Sequence, residues 1–275
     1  MTVRQLNKLL SDALSPFDAQ MILETLLGCD HTQLILRADE ALSDEIILKA
    51  LSMKDRREQG EPIQYITGTW TFMGREYAVG KGVLIPRDDT EVLVRESLKL
   101  IPENRAMEIL DLCAGTGIIA VTIKKERPLC RVSAVEKSER AFSYLQKNTE
   151  KHLAKIRCIL SDLKDCADDF SEGSLDLIVS NPPYIRTSDL STLQREVQCE
   201  PALALDGGAS GYDFYESIIV LYRGKLKAGG SFAFEIGEGQ SEYITQLLQN
   251  AGFADIHITN DIQNIPRAIT ATKMI

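Results

Sequence analysis

The chain has 275 residues, and its hydrophobic fraction of 44% and charged fraction of 26% are those of an ordinary globular protein. These values exclude disorder, collagen and coiled coil as descriptions of the whole chain. Lys and Arg number 31 against 40 Asp and Glu, so the net charge of −9 disfavours a nucleic-acid partner, which binds through many cations. No apolar run reaches the roughly 18 residues of a membrane helix, and the N-terminus lacks a signal-peptide core. We therefore expect a cytoplasmic protein without a membrane partner.

The cysteines and histidines do not have the spacing of a metal site. The chain has 6 cysteines and no C-x-x-C pair, and its 3 histidines do not cluster near the cysteines. A zinc site needs close ligand pairs, so we predict no metal. In a cytoplasmic chain the cysteines are expected to be reduced thiols.

Residues 1–68 carry only helical patterns, and we predict that they form a separate small helical bundle. Val3, Leu6 and Leu10 recur on one helical face, and Ser15 followed by Pro16 is a helix start. Apolar alternation on both sides of a glycine then predicts a β-hairpin inside a linker at 69–83.

Residues 84–275 read as an α/β domain in which strands and helices alternate. Seven strands are predicted, with the sequences MEILDL, RVSAV, IRCIL, SLDLIVS, SFAFEI, FADIHIT and RAITATKMI. A helix is expected at 212–227, before the fifth strand. The predicted fold class is a seven-stranded, mostly parallel Rossmann-like sheet with helices on both faces. Ligands of such sheets bind outside the carboxyl ends of the strands, so functional residues are expected at those ends.

The first strand ends in a loop of small residues. It runs through Asp111, Cys113, Ala114, Gly115, Thr116 and Gly117. Small side chains let a ligand approach the backbone, and a helix follows whose free N–H groups face that ligand. The spacing is neither G-x-G-x-x-G nor that of a P-loop. It therefore disfavours dinucleotides and nucleoside triphosphates as ligands. A plain strand–turn–helix remains the alternative.

Acidic residues end the next two strands. Glu136 suits two adjacent ribose hydroxyls, and Asp162 suits the amino group of an adenine. Taken alone, Glu136 could also be a solvated surface charge. Asp162 could also cap the loop that follows its strand. Together with the small-residue loop, they predict a nucleoside ligand that carries little phosphate.

The fourth strand runs into Asn181-Pro182-Pro183-Tyr184, the most specific pattern in the chain. The prolines offer no N–H donor, so this segment presents carbonyl acceptors beside the Asn181 side chain. Tyr184 adds a flat face for a planar partner. Such a site suits a planar NH₂ group, whose hydrogens the acceptors bind while its nitrogen attacks a methyl carbon. A rigid turn without chemistry is the alternative.

Together these patterns resemble class I S-adenosylmethionine-dependent methyltransferases that act on amino groups. Longer segments resemble the peptide chain release factor glutamine methyltransferases over nearly the whole chain. They are GEPxxYIxG at 60–68, VLIPRxDTE at 83–91, VSNPPYI at 179–185 and EPxxALxGG at 200–208.

The resemblance implies S-adenosylmethionine as cofactor, S-adenosylhomocysteine as product, and methyl transfer to the Gly-Gly-Gln glutamine of class I release factors. It assigns catalysis to Asn181, Pro182 and Tyr184, and release-factor docking to the domain at 1–68. It implies cofactor contacts by Asp111, Cys113, Ala114, Gly115, Thr116, Gly117, Glu136, Asp162, Leu163 and Asn181. It implies substrate contacts by Asn181, Pro182, Pro183, Tyr184 and Arg87. We expect a monomer.

The first loop departs from the family pattern. Cys113 and Ala114 stand where Gly and Thr are usual, and a cysteine at residue 113 is strained if its φ is positive. Leu163 stands where some members carry an aromatic residue. Three alternatives stay open: methylation of a ribosomal-protein glutamine, methylation of an adenine amino group in DNA or RNA, and a binding module without catalysis.

Overall fold

The computed structural model describes residues 1–274, and the chain divides into two compact units. The helical unit comprises Met1–Thr69 and Gln194–Cys199, and the sheet unit comprises Trp70–Leu193 and the chain from Glu200 onward. Within the described residues no helix is long and apolar enough to cross a membrane.

The helical unit contains five helices, and side-chain caps fix the starts of the first four. They are α1 (Val3–Ser11), α2 (Pro16–Leu27), α3 (His31–Leu36), α4 (Asp44–Glu58) and α5 (Ile63–Thr67). Thr2 and Asp30 each form a capping box, and Ser15 and Ser43 each accept from a backbone N–H of the first turn. The apolar faces of these helices meet in one core.

The sheet unit begins with the predicted hairpin and continues as alternating strands and helices. The hairpin strands are β1 (Thr69–Phe72) and β2 (Arg75–Ala78). The large sheet contains β3 (Glu108–Leu112), β4 (Arg131–Glu136), β5 (Ile156–Leu160), β6 (Leu175–Ser180), β7 (Leu226–Glu235), β8 (Phe253–Asn260) and β9 (Pro266–Lys273). The helices are α6 (Thr90–Lys99), α7 (Ile118–Glu126), α8 (Glu139–Lys151), α9 (Asp213–Tyr222) and α10 (Ser241–Asn250). Short 3₁₀ turns lie at Ala167–Asp169, Thr187–Thr192, Val197–Cys199 and Ala202–Ala204.

The predicted fold class is confirmed: the seven strands lie in the order β5-β4-β3-β6-β7-β9-β8. The first five are parallel, and β9 runs antiparallel to both of its neighbours. The chain moves outward from β3 to β5 and then returns to start β6 on the other side of β3. This reversal places a ligand crevice at the carboxyl ends of β3 and β6.

Two apolar cores cover the faces of the sheet. Ile109 belongs to one core and its neighbour Leu110 to the other, as the alternation of side chains along a strand requires. One boundary prediction was wrong. The helix expected at 212–227 ends at Tyr222, and Leu226 already pairs in β7, because residues 224–225 turn the chain back into the sheet.

Candidate functional site

A cavity lies at the carboxyl ends of the central strands, where the strand order reverses. Its lining includes ten of the predicted site residues: Arg87, Cys113, Ala114, Gly115, Thr116, Glu136, Asp162, Leu163, Asn181 and Pro183. Four predicted residues, Asp111, Gly117, Pro182 and Tyr184, lie outside this lining. The structure therefore brings the three strand-end patterns into one site, although some of their residues do not line the cavity.

Asp111 supports the cavity from behind. Its side chain is fully buried, and Oδ2 accepts a hydrogen bond from the Ala120 amide near the start of α7 at 3.0 Å. Oδ1 has no hydrogen-bond partner among the described residues. Burial raises the pKa of Asp111 to about 8, although the Ala120 amide opposes the shift. The carboxyl thus ties the end of β3 to α7.

The small-residue loop turns through left-handed backbone conformations. Cys113 has φ 62°, Gly115 has φ 55° and Gly117 has φ 82°. The condition for strain at residue 113 is therefore met, because only glycine adopts this region without a steric cost. Burial raises the pKa of the Cys113 thiol, which keeps it neutral. A small, neutral wall at this point leaves room for a ligand beside the backbone.

Glu136 ends β4 at the cavity and binds two backbone amides. Oε2 accepts from the Gly115 amide and Oε1 from the Ser138 amide, both at 2.8 Å. Burial raises the pKa of Glu136, while these hydrogen bonds lower it in part. A carboxylate oxygen has a second lone pair, so each oxygen keeps an acceptor for a ligand hydroxyl. Glu136 therefore fixes the loop and faces the cavity with the same group.

Asp162 and Leu163 form the cavity wall after β5. Oδ2 of Asp162 pairs with Nζ of Lys137 at 2.8 Å, and Oδ1 accepts from the Lys164 amide at 2.9 Å. The second contact is the loop cap considered as an alternative. The side chain of Leu163 is buried and apolar at the cavity surface. This wall offers an apolar surface beside a carboxylate.

Asn181 is held by a residue that the sequence analysis missed. Its Nδ2 donates to Oγ1 of Thr90, the first residue of α6, at 3.3 Å. This bond engages one of the two N–H groups of the amide, and Oδ1 is left as an acceptor. Both residues line the cavity. The side chain therefore presents the acceptor that the predicted chemistry needs.

Tyr184 lies outside the cavity lining. Its hydroxyl donates to Oε1 of Glu235 at 3.4 Å, and its carbonyl accepts from Nε2 of Gln240 at 3.0 Å. Gln240 also accepts from the Gly237 amide at 2.9 Å. Burial raises the pKa of Tyr184, so the phenol stays neutral. In this structure the tyrosine anchors the N-P-P-Y segment to the end of β7.

Arg87 reaches the cavity from the segment before α6, and Glu200 fixes it there. The guanidinium pairs with Oε1 of Glu200, while Oε2 accepts from the Ile85 amide at 2.9 Å. Glu200 is buried, and burial raises its pKa although Arg87 opposes the shift.

Four supporting residues were not assigned a role from the sequence: Thr90, Glu200, Glu235 and Gln240. Thr90 and Glu200 belong to the segments that carry the family resemblance, and that was the available signal. Glu235 is an acidic residue at the end of an apolar strand, the same signal that marked Glu136.

The sheet order and the cavity at its switch point are those of a Rossmann-like fold, and two domain models give its class, a methyltransferase. The methyltransferase small domain model matches residues 89–208, and the PrmC N-terminal domain model matches residues 2–68. A solved methyltransferase from Pyrococcus furiosus has the same fold, with a TM-score of 0.56 and 17% identity over 85% of this chain and 100% of that one.

Relatives with closer sequences give the family. The release factor glutamine methyltransferase of Geobacter sulfurreducens is 38% identical over 253 residues, 92% of this chain and 87% of that protein. The protein of the same description from Thermodesulfovibrio yellowstonii is 37% identical over 261 residues, 93% of this chain and 92% of that protein. The chain belongs to the release factor glutamine methyltransferase family.

Proposed function

We propose that this chain methylates the side-chain amide nitrogen of the glutamine in the Gly-Gly-Gln motif of class I release factors. One observation carries the chemistry: Asn181 lines the cavity, its Nδ2 is held by Thr90, and its Oδ1 is left as an acceptor. Family membership supports the choice of substrate.

The cavity lining fits S-adenosylmethionine, which supplies the methyl group when bound and remains as S-adenosylhomocysteine. The loop from Cys113 to Thr116 gives a close approach to the backbone, and Glu136 keeps lone pairs for the ribose hydroxyls. Asp162 and Leu163 provide a carboxylate and an apolar surface for the adenine.

The substrate amide is a poor nucleophile because its nitrogen lone pair is delocalised into the carbonyl. Oδ1 of Asn181 accepts one of its hydrogens, and a backbone carbonyl of the N-P-P-Y segment accepts the other, which raises electron density on nitrogen and orients the lone pair. After transfer, the nitrogen carries one proton too many and releases it to water. No residue of the site needs to become charged in this sequence.

We also propose a binding partner for the helical unit, an oligomeric state and a cellular compartment. The helical unit docks the release factor, and the chain acts as a monomer in the cytoplasm. The six cysteines form no disulfide, which suits a reducing compartment. Exposed apolar side chains on α3 give the helical unit a surface for such a partner.

The test offers the purified chain labelled S-adenosylmethionine together with an unmodified release factor, a large-subunit ribosomal protein and DNA. Label should enter the release factor, and a release factor with Gln→Ala in Gly-Gly-Gln should stay unlabelled. Label mainly in the ribosomal protein or in DNA contradicts the proposed substrate. Cofactor binding without methyl transfer to the release factor, the ribosomal protein or DNA contradicts the proposed enzymatic activity. That result favours a binding module.

A further inference from the structure

Arg87 is a cation at the cavity that the proposed mechanism does not use. Its side chain lines the cavity and is 39% exposed, whereas its partner Glu200 is buried. The contact with Glu200 uses Nη2, and within residues 1–274 neither Nε nor Nη1 of Arg87 has a hydrogen bond. A guanidinium carries five N–H donors, so Arg87 keeps several of them for a ligand.

Glu200 holds the guanidinium of Arg87 in place. Its Oε1 pairs with Arg87, and its Oε2 accepts from the amide of Ile85, two residues earlier, at 2.9 Å. Both oxygens of the buried carboxylate therefore bind the same short segment of chain. An arginine side chain held in this way loses little further freedom when a ligand binds, so Arg87 is preorganised for one.

Contacts of the neighbouring residues place Arg87 beside Asn181 and the small-residue loop. Thr90, whose Oγ1 accepts from Asn181, donates its backbone N–H to the carbonyl of Arg87 at 3.1 Å. A Cβ added at Gly115 would stand 3.9 Å from Cγ2 of Val83, so the segment that leads to Arg87 lies against the loop after β3. Arg87 therefore lies at the end of the cavity that β3 and β6 form.

The proposed cofactor has three parts in a row, and the strand order β5-β4-β3-β6 arranges them. The adenine is assigned to Asp162 after β5, and the ribose to Glu136 at the end of β4. The remaining methionine part then lies at the ends of β3 and β6, where its methyl group faces Asn181. This part carries an ammonium group and a carboxylate group.

A carboxylate that enters a cavity lined by Glu136 and Asp162 needs a cation. Among the described residues, the cavity lining has three cationic side chains, Arg87, Lys137 and Lys164. Lys137 pairs with Asp162 at 2.8 Å, and the Lys164 amide donates to the same carboxylate at 2.9 Å, so both lysines lie at the adenine end. Within the described part of the chain, Arg87 is thus the one cation of the lining at the β3–β6 end.

We propose that Arg87 binds the carboxylate of the cofactor's methionine part through the N–H groups that Glu200 does not use. Hydrogen bonds between a guanidinium and a carboxylate are roughly twice as strong as those between neutral groups. This role differs from the substrate contact that the family resemblance implies for Arg87. The inference deepens the proposed function and rests on it for the identity of the cofactor.

The test compares, by calorimetry on the full chain, the binding of S-adenosylmethionine and of decarboxylated S-adenosylmethionine, which lacks only the carboxylate. Loss of a hydrogen bond to a charged group corresponds to about tenfold to a hundredfold in affinity, so wild type should prefer S-adenosylmethionine by about this factor. Arg87→Gln should bind S-adenosylmethionine more weakly by a similar factor. It should bind the decarboxylated compound at least as well as wild type does, because that compound has no carboxylate to lose.

Lys137→Gln is the matched control, since it removes a cation of the same cavity at the adenine end. It should change both affinities by the same factor and keep the wild-type preference. Arg87→Lys keeps the charge without the guanidinium, so it should keep part of the preference. If Arg87→Gln does not fold, Arg87→Lys supplies the comparison.

The outcomes separate the inference from the proposed function. A preference in Arg87→Gln equal to that of wild type overturns the inference, because Arg87 then only shapes the cavity. Unchanged affinity for S-adenosylmethionine together with a raised KM for the release factor also overturns it and assigns Arg87 to the substrate. Loss of the preference in a chain that does not methylate release factor supports the inference and contradicts the proposed function.

Discussion

Glu136 binds the loop amides of Gly115 and Ser138 and also faces the cavity, so its removal should weaken cofactor binding in two ways. Each hydrogen bond to a carboxylate contributes roughly 1.5–3 kcal/mol. Glu136→Ala should lower the affinity for S-adenosylmethionine by about tenfold to a hundredfold in calorimetry. Glu103→Ala, on an exposed loop, should bind as wild type. Unchanged affinity in a folded Glu136→Ala chain contradicts the assignment.

Cys113 occupies a backbone conformation that favours glycine, and this strain can be measured directly. Cys113→Gly and Cys113→Ala both remove the thiol and its contacts, but only alanine keeps a Cβ at φ 62°. The glycine variant should have the larger free energy of unfolding, by about 1 kcal/mol. Urea denaturation measures the difference. An alanine variant that is as stable as the glycine variant shows that the loop relaxes without cost.

Asp111 should make stability depend on pH. Its pKa is about 8 in the folded chain and about 4 in an unfolded one, so the folded state holds the proton more tightly between these values. The free energy of unfolding should therefore decrease as pH rises from about 4 toward about 8. Asp111→Asn removes this contribution, and its advantage over wild type should grow with pH.

Urea denaturation at several pH values tests this dependence. Asp168→Asn, which changes an exposed carboxylate, should follow the wild-type curve. A curve for Asp111→Asn that runs parallel to wild type over the same range means that Asp111 does not hold a proton in the folded state.

At the scale of elements, local signals predicted the structure well and distant contacts were missed. Ser15 and Pro16 begin α2 as expected, because an N-cap and a first-turn proline act within a few residues. The seven strands were recognisable from apolar runs and their polar ends. Asn181 was chosen from its own motif, but its partner Thr90 lies 91 positions away. Such a pair leaves no periodic pattern, and only the fold brings it together.

Gly207 packs against the N-P-P-Y segment and determines where that segment lies. A Cβ at residue 207 would stand 2.7 Å from Cα of Tyr184 and 2.9 Å from the carbonyl oxygen of Pro183, both rigid backbone atoms. Gly207→Ala should therefore move the acceptors and lower kcat by tenfold or more, about what a misplaced reacting group costs, with cofactor affinity retained.

Gly224→Ala is the matched control for this variant. Its Cβ would meet only the flexible end of the exposed Glu172 side chain, which can move away. Turnover in this control should equal wild type. Wild-type kcat in Gly207→Ala indicates that the N-P-P-Y acceptors tolerate displacement.

At the scale of the whole molecule, a single glutamine offers too few atoms to identify a large partner. Remote contacts must therefore supply binding energy, and the helical unit exposes 80% of Leu36 on α3. Leu36→Glu should slow methylation of the intact release factor while leaving cofactor affinity and the low activity on a short Gly-Gly-Gln peptide unchanged. Initial rates on both substrates measure this difference.

Ile262→Glu changes a fully exposed apolar side chain of the sheet unit and serves as the control. It should methylate both substrates as wild type does. Equal loss on peptide and protein in Leu36→Glu indicates a role of α3 in stability alone.

The short segment Gln194–Cys199 completes the helical unit although it is encoded far from the rest of it. Arg57 on α4 pairs with Glu196, 139 positions later, and Arg195 donates to the carbonyl of Gln59. A nascent chain emerges from the ribosome in sequence order, so these contacts form only after the central strands have been synthesised. Closing so long a loop is slow. The helical unit therefore has its apolar core in the first helices and receives its last polar contacts from a segment encoded more than a hundred codons later.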